Sequence, residues 1–314
     1  MRHNILTIGE LLWDKLPDKT LLGGAPANLA FRLVERGCDC HLISRLGMDD
    51  PGYKALECIE DMNIPTSLIQ FDPNFPTGTV IVEFDENKTP DYLITPKVAY
   101  DFIELLPELE TAAANCHCIA FGTLAQRNNK SRQTIYSLLQ NASKAIKFLD
   151  INLRKDCYST GTISQSLYFA DVLKANHHEA FQLNSFFGLT GSDIPEICEI
   201  ISERFDIKTI LVTIEQNGVF LYDRKEGRHY IAGHRISVED SLGSGDAFSA
   251  GFIDELLKGS SLARASETGN ILGAIVASKK GATQKITKTE IEKIISRNNR
   301  IVDPDLRNYL FIPT

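Results

Sequence analysis

DSLGSGDAFSAG, residues Asp240–Gly251, is the stretch of this 314-residue chain that says most about its fold. Gly243 and Gly245 stand just before a predicted helix, Asp246–Leu257. Glycines let a backbone turn tightly and leave its N–H groups without side-chain obstruction. At a helix start such N–H groups meet the positive end of the helix dipole, which suits a phosphate. The segment therefore predicts a phosphate-binding turn with Asp246 beside it, placed to accept a proton.

A second glycine segment, Gly23–Gly37, reads GGAPANLAFRLVERG. Its double glycine leads into a predicted helix whose first turn carries Asn28, an amide that can bind hydroxyl groups. Both segments have a plainer interpretation. The first can be a capped helix in which Asp246 only favours the dipole. The second can be a turn with Pro26 near the helix start and Asn28 as a cap.

Short apolar runs alternate with helical patterns along most of the chain, which predicts an α/β fold. Ile5–Glu10 and Cys40–Leu46 are predicted strands around a helix, Ala25–Arg36, that ends at Gly37. The same alternation gives further strands at Cys118–Phe121, Ile146–Ile151, Val172–Ala175 and Ile210–Ile214, and helices at Ser131–Lys144 and Ile194–Phe205. Continuous apolar strands between helices indicate a mainly parallel central sheet with helices on both faces.

The region from Ser67 to Thr95 departs from this alternation. Thr79–Phe84 and Asp91–Ile94 read as an antiparallel hairpin around a polar turn, Asp85–Lys88. Since the chain has no Gly/Ser linker, we predict one domain over residues 1–314, with a small β lid formed by residues 11–22 and 67–100.

Composition excludes several classes of protein. The formal net charge is −8, so binding to nucleic acid is not expected. No apolar run approaches the roughly 18 residues of a membrane span, and the N-terminus reads as a first strand rather than a signal peptide. Seven cysteines without a secretory signal indicate reduced thiols and a cytoplasmic location. Cys38-Asp-Cys40 and Cys116-His-Cys118 lack the usual C-x-x-C spacing of a zinc site.

Taken together, the two glycine segments resemble the paired signatures of the ribokinase-like (PfkB) sugar kinases. These are GG-x-x-x-N near the N-terminus and D-[ST]-x-G-[AS]-G-D near residue 240. Further motifs that resemble the family are Arg45–Gly52 (RLGMDDPG), Asn176-His-His-Glu179 (N-x-x-E), Val212-Thr213 with Gly218-Val219, Asn270, and Gly281-Ala282. Glu215 departs from the pattern because the nucleotide turn usually has glycine there, and Ser241 and Ser244 replace the commoner threonine and alanine.

The resemblance covers essentially the whole chain and implies a ribokinase-like fold that transfers the γ-phosphate of ATP to a sugar. It implies that Asp246 is the catalytic base and that the backbone of Gly243, Ser244 and Gly245 forms an anion hole. The other implied roles are sugar binding by Asp14, Gly24, Asn28 and Arg154; nucleotide binding by Thr213, Gly218, Asn270 and Gly281; Mg²⁺ binding through water by Asn176 and Glu179; and K⁺ binding, as in several relatives, by Asp240 and Ser241. The resemblance is also compatible with a homodimer through the lid.

The identity of the sugar is narrowed by three segments. GELLWDKLP, GGAPAN and Asp150-Ile-Asn-Leu-Arg154 (D-x-N-x-R) resemble bacterial fructokinases. Ala25-Pro26 stands where kinases of phosphosugars tend to carry lysine, which favours an unphosphorylated sugar. We therefore expect fructose, with ribose, 2-keto-3-deoxygluconate and nucleosides as alternatives. A non-catalytic sugar-binding regulator is less favoured, and a dinucleotide-binding enzyme lacks its G-x-G-x-x-G after the first strand.

Overall fold

Two compact units, Met1–Ala145 and Ile146–Thr314, make up the chain in this computed structural model. The structure describes residues 2–84 and 90–311. The predicted turn Asp85–Lys88 lies outside the described residues. The single domain predicted over residues 1–314 stays a prediction.

The first unit contains two sheets. Its strands are β1 Asn4–Ile8, β2 Leu12–Lys15, β3 Thr20–Gly23, β4 Asp39–Gly47, β5 Ile69–Asp72, β6 Gly78–Phe84, β7 Pro90–Ile94 and β8 Cys118–Phe121. Its helices are α1 Ala25–Glu35, α2 Asp50–Asp61, α3 Pro107–Asn115 and α4 Asn129–Asn141. The order β8-β1-β4-β5 is parallel throughout. The second sheet has the order β3-β2-β6-β7, in which only the β2–β6 pair is parallel.

The second unit contains one sheet and six α-helices in its described part. The strands are β9 Ile146–Asp150, β10 Val172–Asn176, β11 Thr209–Thr213, β12 Gly218–Asp223, β13 Gly227–His234 and β14 Arg300–Ile301. The helices are α5 Thr160–Phe169, α6 His177–Phe186, α7 Ile194–Phe205, α8 Ser244–Leu257, α9 Leu262–Ala277 and α10 Lys288–Arg297. β9, β10 and β11 are parallel, and β12, β13 and β14 continue the sheet in antiparallel pairs.

The α/β class predicted from the sequence is confirmed, with strands and helices at or near the predicted positions. Cys118–Phe121 and Ile194–Phe205 have the predicted bounds. α7 is delimited so clearly because Asp193 caps its first turn by accepting from Glu196 N, and Pro195 occupies that turn. The predicted hairpin is present as β6 and β7. The β12–β13 hairpin and the short strand β5 were not predicted.

Burial of continuous apolar strands explains why the sheets form. The side chains of Ile5, Leu6 and Ile8 in β1 are fully buried, as are Phe148 in β9 and Phe252 in α8. A strand buried on both faces cannot show alternating polarity, which is why these runs read as uninterrupted apolar sequence.

The second sheet is attached to the β4–α2 loop by a polar network. Asp49 Oδ1 accepts hydrogen bonds from Gly52 N at 2.8 Å and from Thr77 Oγ1 at 2.6 Å, and its Oδ2 accepts from Thr77 N at 2.9 Å. The indole of Trp13 in β2 donates to Pro51 O at 2.9 Å. The predicted lid segment 67–100 also includes β5, which pairs with β4 rather than with the second sheet. The lid role itself stays a prediction.

All seven cysteines are free thiols, as the sequence predicted. In the described part of the chain, no helix combines the length and the apolar character needed to cross a membrane.

Candidate active site

The glycine turn of Asp240–Gly251 forms the start of α8. Gly243 precedes the helix with φ 75°, a left-handed conformation that disfavours other residues. A Cβ on Gly243 would lie 2.5 Å from the Cβ of Ala282, so the turn and the loop after α9 are in close contact. The helix begins at Ser244, two residues before the start that the sequence predicts. Asp246 therefore lies on the first turn, half-buried.

Backbone hydrogen bonding shows which N–H groups this turn offers. Ser244 N donates to Ser241 O at 3.2 Å, and Ser244 Oγ donates to the same oxygen at 2.8 Å. The N–H of Ala247 donates to Gly243 O at 2.9 Å, which is the first hydrogen bond inside the helix. The N–H of Gly245 precedes that bond and is therefore better placed to receive an anion than the N–H of Ser244. The anion hole predicted from the backbone of Gly243, Ser244 and Gly245 stays a prediction.

Asp240 connects the glycine turn to the loop after α9. Its Oδ1 accepts from Leu242 N at 3.0 Å, and its Oδ2 accepts from Gly281 N at 3.1 Å. Gly281 has φ 86°, a conformation that favours glycine. The structure thus brings together two residues whose predicted roles differ, Asp240 for K⁺ and Gly281 for the nucleotide. Both roles stay predictions.

Asn176 and Glu179 of the N-x-x-E motif form a capping box at the start of α6. Asn176 Oδ1 accepts from Glu179 N at 2.9 Å, and Glu179 Oε2 accepts from Asn176 N at 2.8 Å. The other carboxylate oxygen, Oε1, accepts from Leu153 N at 2.8 Å. Burial raises the pKa of Glu179, and these N–H bonds only partly offset the effect.

The donor set of this motif fits a hydrated Mg²⁺. Carboxylate and amide oxygens are hard ligands that Mg²⁺ prefers, and the ion keeps part of its water shell. Because both oxygens of Glu179 already accept a backbone hydrogen bond, contact through water fits better than direct coordination. When bound, Mg²⁺ would neutralise charge on the phosphates of a nucleotide.

An ion pair that the sequence analysis missed, between the buried Lys174 and the half-buried Asp150, lies beside the glycine turn. Lys174 Nζ of β10 donates to Asp150 Oδ2 at 2.7 Å. Ser249 Oγ on α8 lies 3.2 Å from the same oxygen and 3.1 Å from Gly245 O. The lysine interrupts the apolar strand sequence VLKAN, and this is the signal that could have identified it.

The predicted nucleotide-binding residues lie around β11, β13 and the late loop. Gly218 has φ 100°, and a Cβ there would lie 2.2 Å from Ile231 O in β13. The buried side chain of Asn270 donates from Nδ2 to the same Ile231 O at 3.1 Å. Asn270 therefore supports β13 through that amide. Thr213 ends β11 with its Oγ1 3.4 Å from Ala175 O.

Glu215, the departure from the family pattern, adopts φ 43° in the turn Glu215–Asn217. This left-handed conformation favours glycine, which is the physical reason for a glycine at this position in the family pattern. Its carboxylate lies near His177 and His178, and one potential ligand atom from each of the three residues lies within 4.8 Å of the others. His178 and Glu215 are exposed.

The predicted sugar-binding residues of the first unit lie close together in sequence and in structure. Asp14 is in β2, and a Cβ on Gly23 in β3 would lie 2.1 Å from Asp14 Oδ2, so the glycine makes room for this carboxylate. Gly24 has φ 112°, and a Cβ there would lie 2.4 Å from Glu10 O. Asn28 is buried in the first turn of α1.

Glu10 is a further residue that the sequence analysis missed. It is buried, and its Oε1 accepts from Ala25 N at 3.2 Å at the start of α1. In the second unit, Arg154 has an exposed side chain in the loop after β9, where its carbonyl accepts from Cys157 N at 3.0 Å. The roles predicted for Asp14, Gly24, Asn28 and Arg154 stay predictions.

Known proteins resemble the chain over most of its length. A sugar kinase of Pyrococcus horikoshii is 28% identical over 311 residues, which span 92% of this chain and 94% of the relative. The structure of that kinase in complex with ATP matches with a TM-score of 0.79, at 25% identity, over 92% of this chain and 99% of the other. A fructokinase of Escherichia coli is 28% identical over 273 residues, spanning 82% of this chain and 85% of the relative.

A Vibrio cholerae fructokinase, solved with fructose, ADP and a potassium ion, shares the fold with a TM-score of 0.78. It is 21% identical and covers 93% of this chain and 98% of its own. A ribokinase and a 2-dehydro-3-deoxygluconokinase are also among the similar proteins. The family model described as "pfkB family carbohydrate kinase" matches residues 18–289. With a ribokinase-like α/β fold and this match over most of its length, the chain belongs to the PfkB family of carbohydrate kinases.

Proposed function

We propose that this sugar kinase transfers the γ-phosphate of ATP to a primary hydroxyl group of an unphosphorylated monosaccharide, and that D-fructose, phosphorylated at its 6-hydroxyl, is its best substrate. The observation that carries the chemistry is the position of Asp246. The carboxylate stands on the first turn of α8, directly after a glycine turn whose N–H groups suit an anion.

The proposed reaction follows from these groups. The sugar oxygen attacks the γ-phosphorus, the bond to the β-phosphate oxygen breaks, and Asp246 accepts the hydroxyl proton. The backbone of the glycine turn, with the N–H of Gly245, stabilises charge on the transferred phosphoryl group. Asn176 and Glu179 would hold Mg²⁺ through water, and Asp240 with Ser241 would bind a K⁺ ion.

Fructose is favoured by the opening GELLWD with Asp14, by Ala25-Pro26 and by the segment Asp150–Arg154. Asp14 accepts hydrogen bonds from sugar hydroxyls, and Gly23 leaves the room that its carboxylate occupies. A pocket for a phosphosugar needs cations to pair with the phosphate. Fructokinases are among the relatives, and so is a ribokinase, so ribose is the main competitor.

The deciding experiment measures kcat/KM for fructose, ribose, 2-keto-3-deoxygluconate and adenosine under one set of conditions, by coupled detection of ADP. Phosphorus–carbon coupling in the NMR spectrum of the product identifies the phosphorylated carbon. We expect fructose to exceed ribose by at least tenfold, since one unpaired polar group costs about 1–3 kcal/mol. A tenfold preference for ribose or a nucleoside refutes the choice of fructose and leaves the kinase chemistry intact.

A non-catalytic regulator on the same fold is the second candidate function. It predicts sugar binding without release of ADP by the wild-type protein. Calorimetric titration with the same four compounds, run beside the activity assay, separates this outcome from a kinase of different specificity.

A further inference from the structure

We propose that Lys174 supplies a fixed positive charge to the phosphoryl-transfer site, and that Asp150 and Ser249 hold this ammonium group beneath the first turn of α8. The inference rests on the proposed function, because it assigns Lys174 a part in stabilising the phosphoryl group that Asp246 helps to transfer. Lys174 is a positioning and electrostatic residue in this scheme, and it keeps its proton throughout the reaction.

The geometry places the ammonium group next to Gly245, in the turn that the sequence predicts to bind an anion. A Cβ built on Gly245 would lie 3.3 Å from Lys174 Nζ. Among the described residues, no other atom outside Gly245, its chain neighbours and the backbone of its own helix lies within 4 Å of that Cβ position. Lys174 is 6% exposed, and its pairing with Asp150 follows from the register of β9 and β10. The charge is therefore fixed by two neighbouring strands rather than by a flexible surface side chain.

Ser249 connects the ion pair to α8, the helix that carries Asp246. Ser249 Oγ contacts both Asp150 Oδ2 and Gly245 O, so the same hydroxyl touches the ion pair and the first turn of the helix. Movement of the ion pair would therefore disturb the turn on which Asp246 lies.

A purely structural role does not account for this pair. A cation near a helix N-terminus is disfavoured by the helix dipole. A buried ion pair also seldom adds stability over apolar residues of the same size. An anion bound at this turn would interact favourably with both the ammonium group and the helix start, and this accounts for a lysine at this position.

The test uses Lys174→Met, Asp150→Asn and the double variant, with melting temperature and steady-state kinetics measured for each. The control is the more exposed pair of Lys208 and Asp171, joined at 2.8 Å, changed in the same way. Removing one partner leaves a buried charge unpaired, so each single variant should melt lower. The double variant removes both charges and should recover most of the melting temperature.

Kinetics separate the two roles. We expect kcat of the double variant to stay about 10²-fold below wild type, the typical cost of losing one transition-state donor. The KM for the sugar should change less than about threefold, a margin chosen well below that loss. Recovery of kcat together with the melting temperature would show that the pair is structural only and would overturn the inference.

A binding experiment with ADP and aluminium fluoride distinguishes failure of the inference from failure of the proposed function. Aluminium fluoride mimics the transferred phosphoryl group. We expect the double variant to lose affinity for this complex and to keep its affinity for ADP alone. Equal affinities for the mimic in wild type and double variant contradict the role of Lys174. If the wild type binds neither ligand and turns over no sugar, the proposed function and the inference are both wrong.

Discussion

Asp246 and Glu179 are carboxylates with different surroundings. Asp246 is half-buried on the first turn of α8, whereas Glu179 is buried and accepts two backbone hydrogen bonds. A group that takes a proton from a substrate needs access to that substrate, while a group that holds hydrated Mg²⁺ needs a fixed position. The difference in surroundings matches the two roles proposed for these residues.

The Asp246→Asn variant should lose turnover while it still binds sugar and ATP. Asparagine has nearly the same shape but cannot accept the hydroxyl proton, and general-base catalysis contributes about 10²–10⁴-fold. Steady-state kinetics and calorimetry measure the two properties. Asp156→Asn is the control, because Asp156 is exposed and its φ of 61° is one that asparagine tolerates. Near wild-type turnover in Asp246→Asn would remove this residue from the role of base.

Glu179→Gln should raise the Mg²⁺ concentration needed for half-maximal activity more than it changes the KM for the sugar. Glutamine keeps one acceptor oxygen for the capping box but removes the negative charge that favours the ion. Mg²⁺ titration at saturating sugar measures the effect, with the exposed Glu203→Gln as control. An unchanged Mg²⁺ profile would contradict the metal role.

For single residues, the sequence predicts those that lie within one short motif. It misses residues whose contacts depend on the register of neighbouring strands. Asp246, Asn176 and Glu179 could be found because each stands in a short pattern. The pairing of Lys174 with Asp150 joins residues 24 positions apart, and the contact of Ser249 with Asp150 joins residues 99 apart. Such contacts form only once β9, β10 and α8 pack together, which local sequence does not specify.

Among the elements, α8 and the loop after α9 depend on each other through Gly243 and Ala282. Two features of position 243 require glycine. The backbone has a left-handed φ, and a Cβ there would lie 2.5 Å from the Cβ of Ala282. Asp240 adds a hydrogen bond to Gly281 in that loop. The start of α8 is therefore built from two segments, although the sequence signature names only the first.

Gly243→Ala should lower the free energy of unfolding by more than Gly259→Ala does. Gly259 has a similar φ of 82°, but a Cβ there meets no atom of the described residues within 4 Å. Gly259→Ala therefore shows the conformational cost alone, about 1–2 kcal/mol, and the excess in Gly243→Ala reports the clash with Ala282. Urea unfolding measures both variants. Equal losses would mean that the loop after α9 moves away without cost.

Helix α10 is expected to confer a pH-dependent stability through Glu290. Burial acts to raise the pKa of Glu290, but hydrogen bonds from Lys279 and Thr287 outweigh it and hold the pKa at about 2. Because the folded state favours the ionised carboxylate, this stabilisation is complete above about pH 4.5 and is lost as the pH falls toward 2.

Glu290→Gln should therefore melt below wild type at neutral pH, and the difference in melting temperature should shrink as the pH falls from about 4.5. The comparison is Glu292→Gln on the same helix, whose carboxylate is 4.0 Å from Lys288 and mostly exposed. A difference that does not vary with pH would exclude Glu290 as its source.

The elements themselves were predictable where burial or capping marks them. α7 has an N-cap and a proline at its start, and β8 is a short run of buried residues between His117 and Gly122. The β12–β13 hairpin was missed because β13 begins with Gly227-Arg228-His229, a polar stretch that does not read as a strand. Its formation depends on the neighbouring strand β11 rather than on its own pattern.

For the whole molecule, the second sheet of the first unit carries an exposed apolar pair that suits self-association. Ile81 in β6 and Leu93 in β7 face each other across the strand pair, and their side chains are 38% and 61% exposed. Adjacent exposed apolar side chains on a sheet favour contact with another surface. This agrees with the homodimer with which the family resemblance is compatible.

The protein should therefore have a mass in solution of twice the 34.9 kDa of one chain, and Leu93→Glu should shift it to the monomer. A charge in the contact would have to be buried without a partner. Light scattering after size exclusion measures the mass. Leu105→Glu, at an exposed leucine outside that sheet, is the control. A wild-type monomer, or a Leu93→Glu dimer, would contradict this interface.

The hydrogen bond from Trp13 to Pro51 has a practical consequence, because Trp13 is the only tryptophan of the chain. All tryptophan fluorescence of the protein originates from one half-buried indole in β2, next to Asp14. Tryptophan emission, excited selectively over the nine tyrosines, therefore reports on this strand. A change in its wavelength on addition of a sugar would record binding near Asp14 directly, without a chromophore attached to either molecule.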